Sequence, residues 1–283
     1  MKYIIFYFIL VSFLFLSCKK ADLNEGVPSY ISIPTFELVT EIDEGSNSHK
    51  ITDAWIYFDN NLQGIYPLPS NFPVLLDGKQ NIKIKAGIKN NGTATTRIKY
   101  PFYNYYIEEI LLKKDSTTIL KPTFNYLNGN DLDFVEIEDF EDAGTIFSST
   151  SRSDTSLFQT TDSVFGTIGA VNLAPPHQTF EMATEELQLT SNNLPIYVEL
   201  NYKANTTFQV GVFANYSEVV ETFLEFTINP KNEWNKIYLE LTPIINATPN
   251  ANSYKIFITM SRDINTSEIA DLYLDNFKIV CFE

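Results

Sequence analysis

The stretch Ile196-Tyr197-Val198-Glu199-Leu200-Asn201-Tyr202-Lys203 decides the fold class of this chain. Successive side chains of an extended strand point to opposite faces, so Ile196, Val198, Leu200 and Tyr202 line one side and Tyr197, Glu199, Asn201 and Lys203 the other. The same alternation recurs upstream, where Ile82, Ile84 and Ala86 oppose Asn81, Lys83 and Lys85, and downstream in Ile237, Leu239 and Leu241 and in Ile256, Ile258 and Met260. Turn formers separate these runs: Asp59-Asn60-Asn61, Asp77-Gly78, Asn90-Asn91-Gly92, Asn128-Gly129-Asn130 and Pro230-Lys231-Asn232. No amphipathic helix longer than about two turns stands out. The reading is all-β, and the turn cluster at Asn128 to Asp133 divides it into a small β-sandwich over residues 29–130 and a second sandwich over 134–283.

Ahead of the sandwiches, Lys2 is followed by an apolar run from Tyr3 to Leu16, broken only by Ser12. That run is shorter than the roughly 20 residues a membrane-spanning helix needs, and suits a signal peptide over residues 1–17. Leu14-Phe15-Leu16-Ser17-Cys18 resembles the lipobox of bacterial lipoproteins, with Phe15 departing from the usual aliphatic choice. The resemblance implies a lipidated Cys18, a tether over residues 18–28, and outer-membrane residence facing either the periplasm or the medium. Two or three acyl chains at about 0.8 kcal/mol per buried methylene make a stable anchor. With Cys18 acylated, Cys281 is left without a disulfide partner and reads as a buried small hydrophobe. Asp115-Ser116-Thr117 and Asp162-Ser163-Val164 resemble O-glycosylation sites of exported Bacteroidetes proteins.

The formal charge of −15 argues against nucleic acid and anionic lipid headgroups as partners. Resemblances refine the two sandwiches. Asp53 to Asp59, Gln63-Gly64-Ile65-Tyr66, the Pro67–Pro73 connection and Leu76 to Ile84 look like PEGA-type or carboxypeptidase-regulatory-like sandwiches, which implies a spacer module. Asp139-Phe140-Glu141-Asp142 at the start and Leu272 to Ile279 at the end of the second domain resemble a jelly-roll of the carbohydrate-binding-module or galactose-binding-like kind. That resemblance implies a glycan ligand and a structural calcium where the two ends meet, held by Glu141 and Asp275.

Sugar sites on sandwiches use aromatic rings for C–H faces and fixed polar groups for hydroxyls. Tyr197, Trp234 and Tyr238 are the leading candidates, with Phe213 and Tyr216 beside them. Tyr197 and Tyr238 lie opposite their strands' aliphatic rows, where exposure is expected. The dense run Tyr100-Pro101-Phe102-Tyr103-Asn104-Tyr105-Tyr106 suits a core or interdomain contact. Glu136-Ile137-Glu138-Asp139-Phe140-Glu141 is spaced like the Glu-x-Asp-x-x-Glu signature of jelly-roll glucan hydrolases, but Glu138 stands where that signature has Asp. The two histidines of the chain, His49 and His177, make no zinc spacing or triad pattern, so no catalytic residue is assigned. The expectation is a non-catalytic, lipid-anchored envelope protein presenting a glycan-binding jelly-roll. An envelope assembly protein with protein partners is the alternative, and a glycoside hydrolase using Glu136 and Glu141 a minor one.

Overall fold

A computed structural model describes residues 26–128 and 131–283. The amino-terminal part comprises β1 (Ser29–Ile33), β2 (Glu37–Leu38), β3 (Asp53–Phe58), β4 (Asn61–Pro67), β5 (Ser70–Val74), β6 (Gly78–Lys89), β7 (Arg97–Lys99), β8 (Tyr105–Leu112), β9 (Thr117–Ile119) and β10 (Thr123–Phe124). A sheet β4-β3-β6-β7, with β8 also on β6, packs over the short sheets β5-β1-β9 and β10-β2. The alternation read from the sequence places Ile82, Ile84 and Ala86 in the core and turns Lys83 away from it.

The carboxy-terminal part comprises β11 (Leu132–Glu138), β12 (Phe147–Ser149), β13 (Phe158–Asp162), β14 (Gly166–Leu173), β15 (Thr179–Thr184), β16 (Ile196–Ala204), β17 (Phe208–Asn215), β18 (Val220–Ile228), β19 (Lys231–Glu240), the short helix α1 (Thr242–Ala247), β20 (Ser253–Ser261) and β21 (Ala270–Phe282). One sheet runs β13-β14-β21-β16-β19, with β11 on β21, and the other runs β12-β15-β20-β17-β18. All their pairings are antiparallel, and neighbours distant in sequence lie side by side, as in a jelly-roll. Val198, Leu200, Ile237, Leu239, Ile256, Ile258, Leu272 and Ile279 fill the space between the sheets. Strand β11 pairs with β21 from its first residue, Leu132 against Phe282, while the Leu132 side chain packs into the amino-terminal core.

One face behaves differently from the expectation. Tyr197, Tyr238 and Val280 point out of the six-stranded sheet but belong to the amino-terminal core, with Tyr100, Phe102, Tyr103 and Tyr126. The Tyr100–Tyr103 cluster makes edge-to-face contacts across this boundary, with Tyr100 and Tyr197 centroids 5.5 Å apart. Asn90 and Asn91 close the free edge of β19, where Asn91 N donates to Tyr238 O at 2.9 Å and Asn90 Nδ2 to Glu240 Oε2 at 2.7 Å. Among the described residues no helix is long and apolar enough to cross a membrane.

Candidate functional site

The predicted site residues separate into three places. Cys18 lies outside the described residues. Tyr197 and Tyr238 are only 2 % and 1 % exposed, which corrects their expected role as exposed sugar platforms. The strand parity was read correctly, but the amino-terminal unit covers the face to which they point. Their hydroxyls serve the interface: Tyr197 OH donates to Asn90 Oδ1 at 3.0 Å, and Tyr238 OH accepts from Lys50 N at 3.0 Å. Trp234 remains half-buried at the margin of the same sheet, its Nε1 donating to Asp162 Oδ1 at 3.1 Å and its ring meeting the Phe165 edge at 4.9 Å.

A buried charge network holds this interface. Glu199 has no exposed surface; its Oε1 accepts from Tyr100 OH at 2.6 Å and Tyr126 OH at 2.7 Å, and Oε2 lies 2.8 Å from Lys236 Nζ. Burial works to raise the Glu199 pKa, but Lys236, Lys278 and the Tyr100 hydroxyl outweigh it and hold the carboxyl below its usual range. Lys278 donates to the Glu44 carbonyl from the first unit, and burial brings its ammonium down to about 8 against the attraction of Glu199. His49 lies over the same network with its pKa lowered first by burial and then by Lys236.

The donor set expected to hold calcium is divided among other tasks. Asp275 is buried, one of its oxygens has no hydrogen-bond partner, and burial with the charges of Asp139 and Glu141 raises its pKa to about 7 against the Asn276 amide. Asp275 on its own suits a cation. Glu141, however, uses Oε1 to accept from Thr167 N at 2.8 Å. The nearby carbonyls of Phe140, Asp142 and Gly144 converge on Gln159 Nε2 at 2.8, 2.6 and 3.3 Å. Among the described residues, no three acidic, histidine or cysteine side chains gather to hold a metal. The residues present therefore do not fit the calcium site that the resemblance implied: the loop is tied by the Gln159 amide. The hydrolase spacing is absorbed similarly, since both Glu138 oxygens accept backbone amides, from Phe140 N and Ile146 N, each at 2.7 Å. Glu136 is left partly buried beside Glu138 and Glu185, its pKa raised by burial and then by those two charges.

The open face of the second sheet offers the better site. Cross-strand pairing places Glu181, Thr259, Gln209 and Thr227 in one row, Ala183, Phe257, Gly211 and Leu224 in the next, and Lys255, Phe213 and Thr222 in a third. Gly211 decides the relief of this face. A Cβ there would collide with the Phe257 ring and the Phe223 carbonyl, so its absence lets Phe257 lie down on the sheet. Phe213 stacks over Phe257 with centroids 4.2 Å apart and planes 18° from parallel; Phe257 is only 1 % exposed beneath it, and Phe213 is half-buried. Lys255 and Thr222 flank Phe213 on the neighbouring strands, while the Thr259 hydroxyl is taken up by the Phe180 carbonyl at 2.8 Å and Glu181 is buried. Glu181 is fixed by Thr150 Oγ1 at 2.7 Å and faced by Arg152 at 3.8 Å. Separately, a crevice of about 300 Å³ lies where β18 and β19 meet the amino-terminal unit, lined by Lys50, Lys89, Asn229, Lys231 and Asn235 among others. The sequence reading included Phe213 but missed Phe257, whose alternation with Ile256 and Ile258 was visible, and Gly211, whose role needs the neighbouring strand.

No family model matches the chain, and no curated protein matches it. Solved structures do. A β-sandwich superfamily carbohydrate-binding module aligns with 12 % identity and a TM-score of 0.40, over 81 % of this chain and 84 % of its own. The family 11 carbohydrate-binding module of Clostridium thermocellum, solved with a mixed-linked tetrasaccharide, gives 10 % identity and a TM-score of 0.38 over 54 % and 96 %. A family 22 xylan-binding domain gives 12 % and 0.37 over 52 % and 94 %. None of their residues is transferred to this chain.

Proposed function

We propose that this chain is a non-catalytic, lipid-anchored envelope protein, held to the outer membrane through Cys18, whose carboxy-terminal sandwich binds a glycan on the Phe213–Phe257 face. The observation that carries the binding reading is the half-buried Phe213 ring, stacked on the buried Phe257 and flanked across the strands by Lys255 and Thr222. A sugar's C–H face stacks on such a ring while its hydroxyls meet the flanking polar groups. The anchoring half rests on the order of apolar run, small residue and cysteine at residues 3–18. A glycan array probed with the chain and with Phe213→Ala tests the binding. Recognition of a defined glycan, weakened roughly tenfold by the substitution, supports it; equal binding by both proteins excludes this face.

A protein partner is the second reading. Val220 and Leu224 are 56 and 51 % exposed along β18, an edge strand with a free side, and Val219 just before it is 57 % exposed. Such an edge is a ready template for another chain's strand. Crosslinking on intact cells that captures a protein through a lysine near β18, with no glycan bound on the array, favours it.

A further inference from the structure

The amino-terminal sheet β4-β3-β6-β8 presents an outward face that the glycan site does not use. Pairing places Ile65, Trp55, Lys85 and Tyr105 in one row, Leu62, Tyr57, Lys83 and Ile107 in the next, and Lys79 opposite Leu111 nearer the end. Leu62, Ile65, Tyr105, Ile107 and Leu111 are between 39 and 66 % exposed, so the apolar groups are not sealed by any other part of the described chain. Gly87 again sets the relief: a Cβ there would stand 2.8 Å from Trp55 Nε1, and without it the indole lies across the sheet.

The cations are interleaved with these side chains. Lys83 and Lys85 stand 4.1 and 4.8 Å from the Tyr105 ring centroid, and Lys99 5.6 Å from that of Trp55. Of the carboxylates close by, Glu109 is paired with Lys79 at 2.8 Å, and the buried Asp53 is paired with Arg97. Lys83 and Lys99 therefore stand near Lys85 without a facing carboxylate, Lys85 itself being buried and donating to the Tyr103 and Pro101 carbonyls. Burial, then Lys99 and Lys83, bring Lys85 down to about 8. The chain is strongly acidic as a whole, with a net charge of −15. Charges interact over only about 10 Å at 0.1 M salt, so the sign of the local patch decides what can approach it.

The chain enters this unit at the same end of the face. Asp115 N donates to Pro28 O at 2.9 Å and Ser29 Oγ to Leu76 O at 2.8 Å, next to the Lys79–Leu111 pair. Nine residues, and so ten Cα-to-Cα steps, separate Cys18 from Pro28. Their fully extended reach is about 35 Å at most, which is of the order of a small domain's diameter.

We propose that this face docks on an anionic lipid surface, with Trp55, Tyr105, Ile107 and Leu111 entering the headgroup zone and Lys79, Lys83 and Lys99 meeting phosphate groups. The proposal rests on the anchoring reading above, since the tether delivers this end of the unit to the bilayer. The general argument from net charge against anionic headgroups then holds for the molecule and fails for this patch.

The test uses the full, lipidated chain carrying Trp234→Phe, which leaves Trp55 as the sole tryptophan of the two. It is reconstituted with vesicles of phosphatidylcholine, or of three parts phosphatidylcholine to one part phosphatidylglycerol, each containing lipid brominated on its acyl chains. Flotation reports anchoring, and quenching of Trp55 reports docking. Expected is flotation with both vesicles, with quenching at least twofold greater on the anionic ones, lost at high salt and in Lys79→Glu/Lys83→Glu. Flotation with unquenched Trp55, or quenching indifferent to charge, overturns the docking and leaves the anchor standing. No flotation with either vesicle overturns both. Flotation and quenching on anionic vesicles alone, abolished by Lys79→Glu/Lys83→Glu, supports the docking and removes the anchor. Protection of this face by a copurifying protein, with no quenching, also overturns the proposal.

Discussion

At Glu199 a carboxylate without exposed surface accepts from two tyrosine hydroxyls of one unit and faces two buried lysines of the other. Removing it leaves the buried Lys236 without its paired carboxylate and Lys278 with only Glu44 to attract it. Glu199→Ala is expected to cost about 3–5 kcal/mol, read from urea denaturation; a loss under about 1 kcal/mol would show that the network is solvated. Asp275 carries the opposite sign of effect. Its carboxyl is raised from 3.8 to about 7, so across that window the native state keeps a proton that the unfolded chain has released. Stability from this group therefore falls as pH rises from about 4 to about 7, and the full penalty persists above. Asp275→Asn is expected to raise the melting temperature at pH 8 by roughly 3 °C or more and to change it little at pH 3.5. Calcium and chelator are expected to leave the wild-type melting temperature unchanged. A calcium-dependent rise that Asp275→Asn abolishes would place an ion on this oxygen after all. None of this was legible in sequence, where Glu199 reads as the wet side of an alternating strand and Asp275 as a ligand.

At the scale of elements, two glycines shape two sheet faces. Gly211 lets Phe257 lie flat under Phe213, and Gly87 does the same for Trp55. Gly211→Ala is expected to destabilise by about 1–3 kcal/mol through overpacking and to weaken glycan binding by displacing the ring. Normal binding by a folded Gly211→Ala protein would count against the platform. The loop after β11 depends on a single amide, with Gln159 Nε2 serving three carbonyls. Gln159→Ala is expected to lower the melting temperature and to speed amide exchange at residues 140–146, measured by hydrogen–deuterium exchange. Unaltered exchange there would mean that the loop is held by other contacts. Alternation along β16, β17, β19 and β20 was readable from residue identity because it follows from the two-residue repeat of any strand. Which strand lies beside which was not readable, and the partner strand gives each glycine its meaning.

For the whole molecule, the two units behave as one body in the packing of their cores. Tyr197, Tyr238 and Val280 complete the amino-terminal core from the other unit's sheet, and the Asn90–Asn91 turn closes the edge of β19. A single calorimetric transition is expected, with equal calorimetric and van't Hoff enthalpies; two separated transitions would show that the units melt independently. Residue identity alone was enough for the all-β class, the strand periods and the inward rows of the strands, because backbone geometry and apolar patterning act locally along the chain. It also raised the lipid anchor at Cys18, which lies outside the described residues. Which outward rows are wet depended on long-range packing. A strand presents its polar face to whatever lies opposite, and at the six-stranded sheet that neighbour is another folded unit, brought there from about a hundred residues away along the chain. Burial depends on that long-range neighbour, so Tyr197 and Tyr238 became interface, while Phe213 and Trp55, on the faces left open, became the surfaces able to meet another molecule.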